Sequence, residues 1–266
     1  MSLIIGFLLA ILIALLAWRL GSLSGTGAWG AILTGGLIFG LGGLPWAVLL
    51  LTFFISSSAL SRAFGRHKAA LAEKFSKGSR RDWGQVFANG GLGALLAIGH
   101  ALLPGQEWIW VAYAGAMAAV NADTWSTELG VLSAVPPRLI TTRQKVERGT
   151  SGGVTLLGTS AALGGAALIA IAAMIFSPAV GWFYRLGVII LGGLAGSLFD
   201  SLLGATVQAI YHCPTCNKET ERHPTHSCGT QTIQVRGWSW VSNDVVNFAC
   251  SFMGALVAAV IWQLLR

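Results

Sequence analysis

Eight predominantly apolar runs, at about 2–18, 27–43, 44–61, 85–103, 108–132, 153–176, 184–210 and 244–265, limit what this chain can fold into. A helix needs ~20 apolar residues to cross the ~30 Å hydrocarbon core of a bilayer. The expected fold class is therefore all-α: a polytopic membrane protein of about eight transmembrane helices, one domain over residues 1–266. Composition agrees, because only 10% of residues are charged, against ~25% in soluble domains. The 35 glycines suit helices packed closely through small residues. The first run lacks a basic leader and an A-x-A cleavage site, so it reads as a retained span. Gly42-Gly43-Leu44-Pro45 predicts a tight turn between the second and third runs. The fifth run carries Asn121, Asp123 and Glu128, where hydropathy alone ends it early.

The cations test this count. With the chain start outside, every Lys and Arg except Arg185 and Arg266 falls on an inside connection. That split obeys the positive-inside rule. It predicts a plasma-membrane protein with both termini outside, and it assigns the net charge of +7 to topology rather than to nucleic acid. Spans two, four, six and eight then begin at the cytosolic side. Their unpaired N–H groups and positive dipole ends face one aqueous compartment. Polar or Gly-rich runs precede three of them: Gly21 to Gly27, Arg148 to Gly153 and Val241 to Asp244. Such ends are natural anion sites.

Within this apolar frame lie two acids, Asp123 and Asp200. A carboxylate at bilayer depth costs ~2.5–3.5 kcal/mol on insertion scales and marks a functional site by default. At 1.5 Å per residue, both sit ~13–15 Å inside the cytosolic end of their spans. With Glu128 they are the candidate Mg²⁺ ligands, since Mg²⁺ favours one or two carboxylates plus waters and substrate phosphates. Asn121, Thr124 and Glu128 share one helical face, whereas Asp123 is turned ~140° from Glu128. Either the helix is interrupted or only one of the two acids is a ligand. The bland alternative is a hydrogen-bonded polar network between helices.

Other clusters surround this centre. Arg143, Lys145 and Arg148, followed by Gly149, Thr150, Ser151, Gly152 and Gly153, read as a phosphate cradle. The bland reading is a topology-setting basic loop, and no Walker A sequence occurs. Arg80 and Arg81, with Gln85 and Asn89 one turn apart, suit a lipid phosphate at headgroup level; ordinary helix capping is the alternative. Arg66 to Lys77 reads as a solvated amphipathic loop. Asn243, Asp244 and Asn247 open the last span and either contact nucleotide or cap the helix. Cys213, Cys216 and Cys228 with His226, preferred over His223, resemble a structural zinc knuckle. This knuckle lies in a cytosolic loop, 211–242, between spans seven and eight. Unliganded thiols are the alternative there.

Asn121-Ala-Asp-Thr-Trp-Ser-Thr-Glu-Leu-Gly130, Arg148-Gly-Thr-Ser-Gly-Gly-Val154, Arg80-Arg-Asp-Trp-Gly-Gln-Val-Phe-Ala-Asn-Gly90 and Asn243-Asp-Val-Val-Asn247 resemble the integral membrane family that includes chloroplast phytyl-phosphate kinase. The resemblance implies phosphoryl transfer from a nucleoside triphosphate, CTP first among candidates, to an isoprenyl monophosphate. It also implies that the Cys/His knuckle is accessory. Asp123, Asp200 and Glu128 would then hold Mg²⁺, Arg143 to Gly153 the donor, and Arg80 and Arg81 the acceptor phosphate. The rival reading is an ion-coupled transporter, since intramembrane acids and Gly-rich helices also describe carriers.

Overall fold

The computed structural model describes residues 2–69, 74, 80–177 and 181–265. Its helices are α1 (Leu3–Arg19), α2 (Gly25–Ala69), α3 (Trp83–Leu102), α4 (Glu107–Gly130), α5 (Leu156–Met174), α6 (Trp182–Thr206) and α7 (Asn243–Leu264). The α2 backbone breaks at Gly43, with φ 75° and ψ −162°. Side-chain-bearing residues rarely adopt that conformation, and Pro45 cannot donate the hydrogen bond a continuous helix needs. The two arms fold back on each other. Arg62, near the end of the second arm, donates to the Leu20 carbonyl and to Ser22 Oγ, just before the first arm starts.

Among the described residues, five helices are long and apolar enough to cross a membrane: Gly25–Phe64, Trp83–Leu102, Leu156–Met174, Trp182–Thr206 and Asn243–Leu264. The sequence count of eight differs for three physical reasons. The two arms of α2 count as one helix although Gly43 breaks it, α1 has only 17 residues, and α4 is too polar for a hydropathy criterion. The loop expected over Arg66 to Lys77 lies largely outside the described residues, although α2 continues to Ala69.

The all-α expectation needs a second correction. The chain is mostly helical but carries two small antiparallel sheets. One pairs β1 (Arg138–Leu139) with β2 (Gly153–Val154). The other, in the Cys/His segment, has the order β4-β3-β5: Lys218–Thr220, Ile210–Cys213 and Ile233–Arg236. Tyr211 and Cys213 point inward on β3 while His212 is more exposed, the period-two pattern of a strand. That pattern is too short to stand out beside the Cys-x-x-C spacing.

α4 is the central helix and packs against α2, α3, α5, α6 and α7. Every residue from Val111 to Ala122 is buried. Small residues make this possible: a Cβ added at Gly254 of α7 would lie 2.5 Å from the Ala119 Cβ. Dispersion contacts between such closely apposed backbones replace the missing hydrophobic drive in lipid. One end of the bundle gathers the end of α1, both ends of α2, the starts of α3, α5 and α7, the ends of α4 and α6, and both sheets. The opposite end carries the Gly43 turn and the Glu107–Arg185 pair at 3.3 Å, with Arg185 over the Trp262 ring.

Candidate functional site

The enclosed part of α4 ends at Asp123, and Asp123 to Thr127 are only half-buried. Gly196 of α6 lies against Ala119 of α4 and the Cys250 carbonyl of α7. Asp123 and Asp200 each follow one turn later, toward the loop-bearing end. Their carboxylates are electrostatic neighbours, and Glu221 of the Cys/His segment joins them. The Cys250 thiol lies beside the same two aspartates. Asp200 Oδ2 is buried and has no hydrogen-bond partner among the described residues. Oxygen donors of this kind fit a hard cation such as Mg²⁺, which needs only one or two carboxylates from the protein.

Glu128 points elsewhere. α4 is unbroken to Gly130, so the angular offset between Asp123 and Glu128 persists. Glu128 accepts a hydrogen bond from Ser61 Oγ at 2.8 Å on α2. Arg81 is a charged neighbour of Glu128. Arg81 precedes α3 and is held in place by its own backbone. Its N–H donates to the Ser22 carbonyl at 3.0 Å, and its carbonyl accepts from Ser24 N–H at 2.9 Å. Its guanidinium donates to Ser57 Oγ at 2.8 Å and Ser58 Oγ at 2.9 Å and lies over the Phe53 and Phe54 rings. Burial among these groups lowers its pKa to about 10, with Glu128 acting in the opposite direction. It is therefore a fixed cation at neutral pH. Arg80 is exposed.

The remaining sequence candidates divide between positioning and open sites. Asn121 is fully buried; its amide bridges Ser56 Oγ and the Gly165 carbonyl at 2.9 and 2.8 Å, so it joins α4 to α2 and α5. Thr124 donates back to the Val120 carbonyl. Gln85 completes a capping box with Asp82, and Asn89 donates to the Gln85 carbonyl, yet both line an apolar cavity beside Arg81. Arg148 donates to the Ser133 and Ala134 carbonyls. Arg143, with φ 59°, and Lys145 are exposed. Asn243, Asp244 and Asn247 are half-buried in the first turns of α7, whose N-cap Ser242 makes no side-chain cap.

The Gly-rich run does not open a helix as expected. α5 starts at Leu156, capped by Thr155 Oγ1 on Gly158 N–H. Gly149 and Gly152 adopt positive φ, which permits a compact turn ahead of Gly153. A Cβ at Gly152 would fall 2.5 Å from the Ala205 Cβ, so this turn sits on the end of α6, one turn beyond Asp200. Thr150 is half-buried there, and Ser151 Oγ donates to Glu221 Oε1 at 2.9 Å. Gln208 Nε2 donates to the same oxygen at 2.9 Å. Sequence reasoning missed Glu221, an acid in a polar loop with nothing local to mark it. Ser57, Ser58 and Ser61 were also missed, although hydroxyls inside an apolar helix were a usable signal.

Cys213, Cys216, His226 and Cys228 offer ligand atoms that all lie within 4.8 Å of one another, and no other such group of three or more occurs among the described residues. The thiols are not disulfide-bonded. A tetrahedral centre with ~2.3 Å metal–sulfur bonds separates its ligand atoms by ~3.8 Å. Cys213 and Cys228 Sγ are 3.5 Å apart, and His226 Nδ1 lies 3.3 Å from Cys228 Sγ. Contacts with Thr230 and His226 lower the Cys228 pKa to about 5, which favours the thiolate a metal requires. These four residues could hold a metal. His223 instead stacks on Tyr211 at 4.4 Å.

Residues 8–255 match the family described as Integral membrane protein DUF92. The chain belongs to that family. It is 33% identical over 240 residues to Protein PGR of Arabidopsis thaliana, covering 82% of each chain. It is 34% identical over 206 residues to a membrane protein of Methanocaldococcus jannaschii, covering 76% of this chain and 82% of the relative. To the chloroplastic Protein VTE6 of Arabidopsis thaliana it is 25% identical over 253 residues, 91% of this chain and 66% of that one. No solved structure matches.

Proposed function

We propose that the chain is a lipid phosphate kinase that transfers the γ-phosphoryl group of a nucleoside triphosphate, CTP first among candidates, to an isoprenyl monophosphate. A non-bridging oxygen of the acceptor phosphate forms the new P–O bond. The bond from the γ-phosphorus to the β,γ-bridging oxygen breaks, and the nucleoside diphosphate leaves with that electron pair. The acceptor oxygen is already ionised near neutral pH, so no strong general base is needed. The site's work is positioning and charge neutralisation.

The observation that carries this reading is the juxtaposition of Asp123 and Asp200 beneath the Gly149–Gly153 turn, with Arg81 across α4. Asp123 and Asp200 would hold Mg²⁺, which supplies charge neutralisation for the transferred phosphoryl group. Glu128 would orient Arg81 instead of joining that set. Arg143, Lys145 and Arg148 would steer the donor phosphates toward the turn, and Asn243, Asp244 and Asn247 would edge the same opening. Support also comes from the motif resemblance to the phytyl-phosphate kinase family and from the relationship to VTE6.

The membrane arrangement follows the same reading. Eight crossings result if both arms of α2, α1 and α4 each span, with the loop-bearing end cytosolic and both termini outside. α4 needs little apolar surface of its own, because protein encloses it through most of its length. Segment 211–242 would then be a cytosolic loop folded on Zn²⁺, a metal matched to three thiolates and an imidazole. An ion-coupled carrier would need polar groups continuing to the opposite end, and α4 is closed above Asp123.

The test is the purified protein with Mg²⁺, each nucleoside triphosphate in turn and prenyl monophosphates. Diphosphate formation abolished in both Asp123→Asn and Asp200→Asn is the expected result. Transfer retained in both variants would refute the site. Flux of substrate across vesicles without transfer would favour the carrier.

A further inference from the structure

Beside Arg81 a second feature remains unused by the chemistry above. α1, both arms of α2 and the start of α3 line a partly open cavity, about 620 Å³ of atom-free space with its mouth included. Its walls are aliphatic and aromatic, including Ala14, Phe39, Leu50 and Phe54. Polar groups collect at one end, where Arg81, Gln85 and Asn89 reach the wall. From Ala31 to Phe39 the first arm of α2 gives this space a depth of ~12 Å. Phe39, 2% exposed, lies at the end away from Arg81.

An apolar tube closed by an aromatic ring at one end, with a fixed cation at the other, matches a single-chain amphiphile with an anionic head. We infer that this cavity binds the isoprenoid tail of the acceptor, with its phosphate at Arg81 and its ω-end against Phe39. The inference rests on the kinase reading for the identity of the head group and deepens it by assigning the tail. The ~12 Å depth suits a chain of a few isoprene units, and a long polyprenyl chain would project into lipid. α1 packs on α2 and makes little contact with α3, so the gap between α1 and α3 is the lateral opening to the bilayer. Glu128 neighbours Arg81 and stands five residues after Asp123 on α4, which sets the acceptor head ~8 Å along the helix from the aspartate level.

Two substitutions act on the cavity in opposite directions. A Cβ at Gly35 would meet only the Ala10 Cβ, at an ordinary 3.5 Å, so Gly35→Leu projects into the space without displacing a backbone. Phe39→Ala removes the stop. The experiment uses the full chain in nanodiscs and a farnesyl phosphate with a photoreactive diazirine on its terminal isoprene. Labelled peptides are mapped by mass spectrometry. Label is expected on residues 10–17 and 31–39, displaced by unlabelled geranylgeranyl phosphate and not by phosphatidic acid. Gly35→Leu should reduce labelling at least tenfold, while Phe39→Ala should shift the preferred competitor toward longer chains. Label confined to other helices, or equal displacement by phosphatidic acid, overturns the assignment. Labelling at these residues without transfer from any nucleotide sinks the kinase reading and leaves the tail site standing. Transfer with label elsewhere sinks the tail site alone.

Discussion

From Val111 to Ala122, α4 is sealed among five helices, and its side chains are mostly Ala, Gly and Val. From Asp123 to Gly130 the same unbroken helix presents two acids, three hydroxyls and a tryptophan, and only Glu128 is fully buried. Helix geometry is constant across the boundary, so the difference lies in the neighbours. Above Asp123, Gly115, Gly193, Gly196 and Gly254 let four backbones touch. Below it, α2 and α5 stay alongside through Ser61 and Gly158, while on the α6 side the Gly149–Gly153 turn and the Cys/His segment take over. The sealed half is closely packed and the open half carries the candidate site, and each can be perturbed separately.

The largest effect should come from the open half. Asp123→Asn and Asp200→Asn should each lower transfer by more than ~100-fold, the upper end for losing even an indirect metal partner, with thermal stability unchanged or raised. Rates and melting curves on the same preparations check this, and unfolding of both variants would merge the two halves into one structural unit. Next, Arg81→Ala should raise the KM for prenyl phosphate ~10–100-fold, the size of a lost hydrogen bond to charge, and Arg81→Lys should recover only part of it. The pH dependence has a defined sign. Arg81 is protonated below its pKa of about 10, so acceptor affinity should hold through neutral pH and fall as pH rises past that value.

A substitution in the sealed half should invert the pattern. Ala119→Leu adds volume where Gly196 and Gly254 already press on α4, and overpacking should lower stability by ~1–3 kcal/mol. Denaturation in mild detergent measures it, and a KM unchanged in the surviving folded protein sharpens the distinction. The smallest effect belongs to the Lys74–Glu147 pair at 2.7 Å, whose Glu147 side is exposed. Glu147→Gln should change stability by no more than ~1 kcal/mol, and a larger loss would show that the loops of the open end hold up the bundle.

Much of this contrast was legible in the residues. The apolar runs marked the helices to within a few residues, and the Gly-Gly-Leu-Pro turn marked the Gly43 break. The two acids inside apolar runs and the Cys/His spacing also picked out side chains that neighbour one another in space. Glu128 illustrates how far periodicity reaches. Helical angle separated it from Asp123, but only tertiary packing could reveal Ser61 and Arg81 as its neighbours. Glu221 was invisible for the complementary reason. Its position depends on a sheet and a turn that bring residue 221 beside residues 151 and 208, a coincidence of three distant segments. The Gly-rich run misled because a helix start and a compact turn call for the same residues.

The attachment of α1 has its own consequence. This helix packs on α2 along its length, with Gly6 against Gly40 and Ala10 beside Gly35, while Leu20 to Ser24 join it to the start of α2 and to Arg81. It therefore stands as a fixed wall against the first arm of α2, and the side facing α3, where contact is sparse, is left as the way in from lipid. A greasy reactant would never have to leave the bilayer to be captured or released.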